Sequence, residues 1–298
     1  MTVFLLILSI VLSCGRNLLS KKLSAAQFGS KTFFYRQGTI FTVGAITLLL
    51  LGVTSLKFPS PVTVLFALIY GSLLITAQWF YTIALGKGNT ALCSTVYSMG
   101  FIIPTVSGAV FWQESLLLPD IVGILLAASA ILCSKASPRS NNSAARGYYL
   151  PLSIAMLASG GLGVMQKVQQ KSSVANERTS FLIIAFIIAA AASIFAAFLA
   201  RKDTENSDCV HFIPVAAAVG AAFASCNLLN TLLAGRLPSS VFFPTLNIGV
   251  ILLSMAMGCL FFKERIRRRE ITVLVLGILS IILLAVYVKN VCCRRRFL

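Results

Sequence analysis

The chain has 298 residues, 58% of them hydrophobic and only 11% charged, with a mean hydropathy of +0.91. A soluble domain carries roughly 25% charged residues, so a water-soluble globule is excluded; a bilayer is the solvent in which such runs satisfy their own backbone as helices. The net charge of +17 is spread over short loops and the tail, not gathered on one face, which excludes a nucleic-acid surface and points to anionic lipid head groups.

Taken in order, ten apolar runs of spanning length, roughly 20 residues each, are expected at 2–19, 33–56, 62–85, 90–112, 116–134, 148–166, 179–200, 212–235, 238–262 and 271–288. The expected fold class is therefore all-α integral membrane, with ten transmembrane helices. Run one has no basic segment before it and no clear cleavage motif, so it reads as a membrane helix and not a signal peptide. It reaches spanning length only by including Arg16. An arginine there either pairs with an anionic group of a substrate or snorkels to the interface. Arg36, at the start of run two, carries the same two readings. Run three contributes Gln78, Trp79 and Tyr81, and run four contributes Ser94, Tyr97 and Ser98.

Run four closes with residues 108–114 (GAVFWQE). Glu114 stands at a helix–loop junction, where a carboxylate is expected to bind free backbone amides of the next helix. Pro119 and Asp120 open run five as an ordinary helix start. A polar stretch at 134–146 (SKASPRSNNSAAR) and a second at 201–208 are the linker-like segments. Run six carries residues 159–167 (SGGLGVMQK), which align with 13–21 (SCGRNLLSK) of run one, glycine inside and lysine closing each. Small residues of this kind either let backbones approach or leave room for a ligand. Run eight holds Asn227 and Asn230, three apart and on one face; run nine holds Asn247 and closes with 258–264 (GCLFFKE).

The glutamates of the two closing motifs are 150 residues apart, and at that offset Ala84 matches Ala234, Thr95 matches Thr245 and Phe111 matches Phe261. Two copies with five crossings each force the second to enter the membrane inverted, with a site where the copies meet. The expected organisation is a first five-helix repeat at 1–135, a linker at 136–147, a second repeat at 148–289 and a basic tail at 290–298. Tyr97 and Asn247 are equivalent at the same offset. A buried amide or hydroxyl at membrane depth must find a partner, which is either a substrate or another helix. On that basis Arg16, Gln78, Tyr97, Asn227, Asn230 and Asn247 are the candidate substrate-binding residues.

Enzyme chemistry finds no motif. The only histidine, His211, lies at a loop–helix boundary, and the eight cysteines show no metal or disulfide spacing. No glycine-rich phosphate loop or nucleophile elbow is present. No cofactor and no metal are expected.

The order of these features resembles a known family. The small-residue first helix of each half is followed by 84–95 (ALGKGNTALCST), Pro104, the 108–114 motif and Gly123; the second half has Ala234, Pro244, Gly258, Glu264 and Gly277. The chain is similar over nearly its whole length to the drug/metabolite transporter superfamily, in its ten-helix EamA-like branch, although the two prolines do not share the 150-residue offset. The resemblance implies a 5+5 inverted-repeat carrier with a central cavity and no particular substrate. The expected function is a secondary transporter moving a small polar or amphipathic metabolite by alternating access. The alternatives are a broad-specificity drug exporter, suggested by the aromatic-rich, acid-poor helices, and a non-transporting membrane scaffold or receptor. Its partners would be a small-molecule substrate and membrane lipid, with no nucleic acid; a homodimer is left open. The expected location is the plasma (inner) membrane, multi-pass. Loop charge puts both termini outside by the positive-inside rule, whereas the resemblance implies both in the cytoplasm.

Overall fold

Runs this apolar leave the backbone one partner in hydrocarbon, itself, and the computed structural model is correspondingly helical, with no strand among the described residues. The structure describes residues 2–22, 31–53, 56–87, 96–114, 118–135, 149–200, 209–262, 271–272, 275–280 and 282–283. In chain order α1 spans Thr2–Lys22, α2 Lys31–Gly52, α3 Pro61–Lys87, α4 Ile102–Trp112, α5 Leu118–Lys135, α6 Tyr149–Lys171, α7 Arg178–Leu199, α8 Cys209–Arg236 and α9 Ser239–Phe262. Residues 271–272, 275–280 and 282–283 are also helical. Among the described residues six helices, α1, α2, α3, α6, α7 and α8, are long and apolar enough to cross a membrane, and Val96–Trp112 and Ser239–Ser254 are shorter apolar helices. The chain is a multi-pass membrane protein, and large apolar side chains such as Leu50, Leu125 and Phe198 point outward where lipid would cover them.

Apart from end shifts of a few residues, such as α2 stopping at Gly52 against an expected 56, two elements differ from the expected runs. The fourth is not one continuous helix among its described residues: a 3-10 turn at Met99–Phe101 precedes α4. Pro104 has no amide to bond back to Gly100, so the regular ladder is interrupted there, and the Gly100 carbonyl packs against Gly160 of α6 instead. The sixth runs five residues past its expected end at 166, so Lys167 lies inside α6 and is 1% exposed, rather than closing it. The linker at 136–147, the 201–208 loop, Glu264 and the 290–298 tail lie outside the described residues.

The most extensive packing joins a helix from the first half of the chain to one from the second: α2 on α7, α3 on α6, α2 on α8, α1 on α8, α3 on α7 and α4 on α9. At the centre Phe41, Phe186 and Phe223 contact one another, with ring centroids 5.5 to 6.2 Å apart. Without a hydrophobic force between helices in lipid, close backbone approach is what drives such contacts. Two glycines supply it. A Cβ on Gly71 of α3 would stand 2.9 Å from the Ala185 carbonyl oxygen of α7, and one on Gly220 of α8 would collide with the Ile40 carbonyl oxygen of α2. Gly15 of α1 is different, since a Cβ there would meet nothing within 4 Å. Gly220→Ala is therefore expected to destabilise the protein by about 1–3 kcal/mol through overpacking. Gly15→Ala should be neutral or stabilising by up to about 1 kcal/mol. Thermal unfolding in detergent measures both.

Candidate functional site

Among the described residues, the junction between the two halves carries most of the hydrogen bonds by which side chains link different helices, and it begins at the end of the bundle bearing Thr2. There α4 stops at Trp112, and Gln113 takes a left-handed conformation with φ 50°. The Glu114 amide returns to the Gly108 carbonyl at 3.2 Å, which turns the carboxylate back toward α9. A side chain at 108 would stand 2.5 Å from both the Glu114 carboxylate and Ser239, so glycine is required at that position. Glu114 Oε2 accepts the free Ser239 amide at 2.7 Å, and Oε1 pairs with Lys167 Nζ at 2.6 Å. Lys167 also donates to the Leu237 carbonyl at 2.9 Å. The carboxylate thus caps the start of α9, where the helix dipole favours it, and the lysine holds the chain leaving α8. The amide it binds belongs to α9 and not, as expected, to the next helix. A second carboxylate makes the same kind of link: Glu177, just before α7, accepts the Ser60 amide at 2.8 Å and the hydroxyls of Ser60 and Thr63 at the start of α3.

Deeper in the bundle three buried side chains from three helices form a closed set. Tyr70 of α3 donates to Asn227 Oδ1 of α8 at 2.6 Å, and Gln166 of α6 donates to the Tyr70 hydroxyl at 2.8 Å and to Asn227 Oδ1 at 3.3 Å. Asn227 Nδ2 donates to the Phe223 carbonyl of its own helix at 2.8 Å. Beside it Ser9 of α1 donates to Asn230 Oδ1 at 2.5 Å, and Ser13 reaches the Cys226 sulfur at 3.5 Å. Each bond removes a polar atom that lipid could not solvate.

Arg16 does not snorkel toward the end of α1. Its guanidinium stands 4.8 Å from the ring centroid of Phe223, a residue near the middle of α8. Its hydrogen bonds go to the neutral side chain of Asn17, at 3.0 and 3.3 Å. Tyr97 is hydrogen-bonded to Ser159 of α6 and lies 4.5 Å, centroid to centroid, from Tyr81 of α3.

Of the sequence candidates, the structure joins Asn227 to Tyr70 and Gln166 and Asn230 to Ser9, and places Arg16 over Phe223. It does not join Tyr97 to Asn247, whose Nδ2 donates to the Phe243 carbonyl of its own helix at 2.9 Å. Gln78 is half-buried on α3, with no hydrogen bond tying it to the other five. Gly161 of α6, which matches Gly15 of α1, packs on Leu73 of α3, and its neighbours Gly160 and Gly163 pack on Ile103, Pro104 and Phe243, while Gly15 has nothing within 4 Å. Sequence reasoning missed Tyr70, Gln166 and the Lys167 partnership. Gln166 and Lys167 were visible as adjacent polar residues; Tyr70 had no local signal, because a lone tyrosine in an apolar run is ordinary core. The Trp79 indole nitrogen is buried and lacks a partner among the described residues. No group of three metal-ligating side chains occurs among them.

No protein-family profile matches the sequence, and no curated protein does either. The fold itself has precedent: a solved structure, described only as a crystal structure of protein, superposes with a TM-score of 0.75 over 97% of this chain and 98% of that one, at 14% identity. At that identity the likeness shows the fold alone.

The pairing at Glu114 has a direct consequence. Removing one member of a buried ion pair strands the other charge, at about 3–5 kcal/mol. Glu114→Gln and Lys167→Met should each lower the unfolding temperature markedly in detergent, and the double variant should lose much less than their sum. A double-mutant cycle reads the coupling; additive losses would show that the pair is not formed.

Proposed function

We propose that the chain is a secondary transporter of the EamA-like, drug/metabolite transporter type, built as a 5+5 inverted repeat that moves a small polar or amphipathic metabolite by alternating access. The observation that carries this reading is the pattern of helix packing. Exchanging each helix n for helix n+5 turns the α1–α8 contact into α6–α3 and the α2–α8 contact into α7–α3, and leaves α2–α7 and α4–α9 unchanged. A pseudo-twofold relation between halves has this consequence, and the 150-residue sequence offset supports the same relation. The polar side chains fall on the junction the axis would cross, as a site between repeats requires. With no nucleotide-binding motif in the sequence, an ion gradient or exchange drives the cycle. The plasma (inner) membrane is the proposed location, with the repeats at 1–135 and 148–289.

Reconstitution tests this. Purified protein in liposomes should give saturable uptake of one class among labelled organic acids, amino acids, nucleosides, sugars and cationic dyes. Reporter fusions at residues 1 and 298 should fall on the same side of the membrane. No flux from verified folded protein would favour the scaffold reading, dye movement alone the exporter, and termini on opposite faces would overturn the 5+5 build.

A further inference from the structure

The distribution of charge inside the helices is one-sided. Of the eight acidic residues in the chain, Glu114, Asp120 and Glu177 stand at helix ends, and the other five fall within 203–208 and 264–270, between the described helices. No described spanning helix carries a carboxylate in its interior. Two cations do lie inside such helices at the junction, Lys167 and Arg16. Lys167 is neutralised by Glu114 at 2.6 Å. Arg16 has no carboxylate partner among the described residues; it has a neutral asparagine and the face of Phe223. Arg36, further along at the start of α2, lies 5.4 Å from the Phe33 ring centroid, also without a carboxylate partner among the described residues. Its charge adds to the same sign.

A charge at membrane depth is expensive unless compensated, and it tends to mark a substrate path. Arg16 is half-buried, lying over the Phe223 ring of α8 while hydrogen-bonded to exposed Asn17, and Gly15 beside it has nothing within 4 Å. Among the described residues nothing supplies its compensating charge, and a bound anion would. We infer that the transported metabolite is an organic anion bearing a carboxylate, and that the carboxylate binds Arg16. This rests on the carrier reading and deepens it. The guanidinium fork matches a carboxylate with two parallel hydrogen bonds. A cationic substrate would meet the positive charge of Arg16, and neither it nor a zwitterion's ammonium would find a carboxylate in the interior of the described helices.

The test uses the full chain in liposomes and in detergent, with acetate, benzoate and indole-3-acetate as anions, benzamide as the neutral isostere and tetraphenylphosphonium as the cation. Saturable uptake of at least one carboxylate is expected, with benzamide and tetraphenylphosphonium excluded. Arg16→Gln should raise the half-saturating concentration at least about tenfold, the usual scale for losing a charged hydrogen-bond partner. If that variant does not fold, Arg16→Lys keeps the charge, loses the fork and should raise the concentration several-fold. Wild-type half-saturation in whichever of the two variants folds would overturn the assignment. Saturable flux of tetraphenylphosphonium or benzamide with carboxylates excluded would overturn the anion site and leave the carrier standing. Absent flux, with carboxylates still raising the unfolding temperature of the wild type but not of Arg16→Gln, would keep the anion site and remove the carrier. Neither flux nor stabilisation by any carboxylate would remove both.

Discussion

One ion pair organises the Thr2 end of the bundle. Glu114 and Lys167 come from opposite halves of the chain, and between them they bind the last carbonyl region of α8 and the first amide of α9. Neither charge could be left alone at 1% and 16% exposure, so the two halves are held together wherever both remain ionised and paired. The local sequence exists to serve this contact. Gly108 clears the space, Gln113 reverses the chain, and α6 extends five residues beyond its apolar stretch to deliver the lysine. Glu177 ties α3 to α7 at the same end by the same device, a carboxylate on a helix start.

Such ties are discrete. A carboxylate on an amide, or a tyrosine on an asparagine, is either made or broken, because in lipid no water is at hand to replace the lost partner gradually. A junction built from them has few intermediate states and suits a structure that switches between two packings. The Tyr70–Gln166–Asn227 set lies on the same junction and would have to part with the ion pair for the Thr2 end to open. Arg16 stands apart from this group. It is the interior charge that the fold leaves without an opposite charge among the described residues.

Much of the architecture was legible in the sequence because lipid simplifies the rules. Helices must be long and apolar, so run length alone located α1, α2, α3, α6, α7 and α8 to within a few residues at most ends. The misplacements were polar. Lys167 reads as the end of a span because nothing local reveals Glu114, 53 positions earlier, as its partner. The break before α4 follows from Pro104, but a proline in a membrane helix is tolerated often enough that its effect depends on neighbours, here Gly160. For the site, polarity at membrane depth singled out Asn227 and Asn230 as substrate-binding candidates, and the structure gives them hydrogen-bond partners on other helices. It could not separate them from Asn247, because an asparagine bonded to its own helix and one bonded across the junction have the same sequence signature. Tyr70 was hidden for the converse reason: its ring belongs in an apolar core and only its hydroxyl does not.

The proposed alternating access requires the two halves to separate at the Glu114–Lys167 end. Spin labels at Phe111, on the exposed end of α4, and Ser173, just beyond α6, in a background without native cysteines, report that separation by pulsed electron resonance in lipid nanodiscs. Two distance populations are predicted, with Glu114→Gln shifting weight to the longer one. A single distance, unchanged by Glu114→Gln in folded protein, would contradict the account.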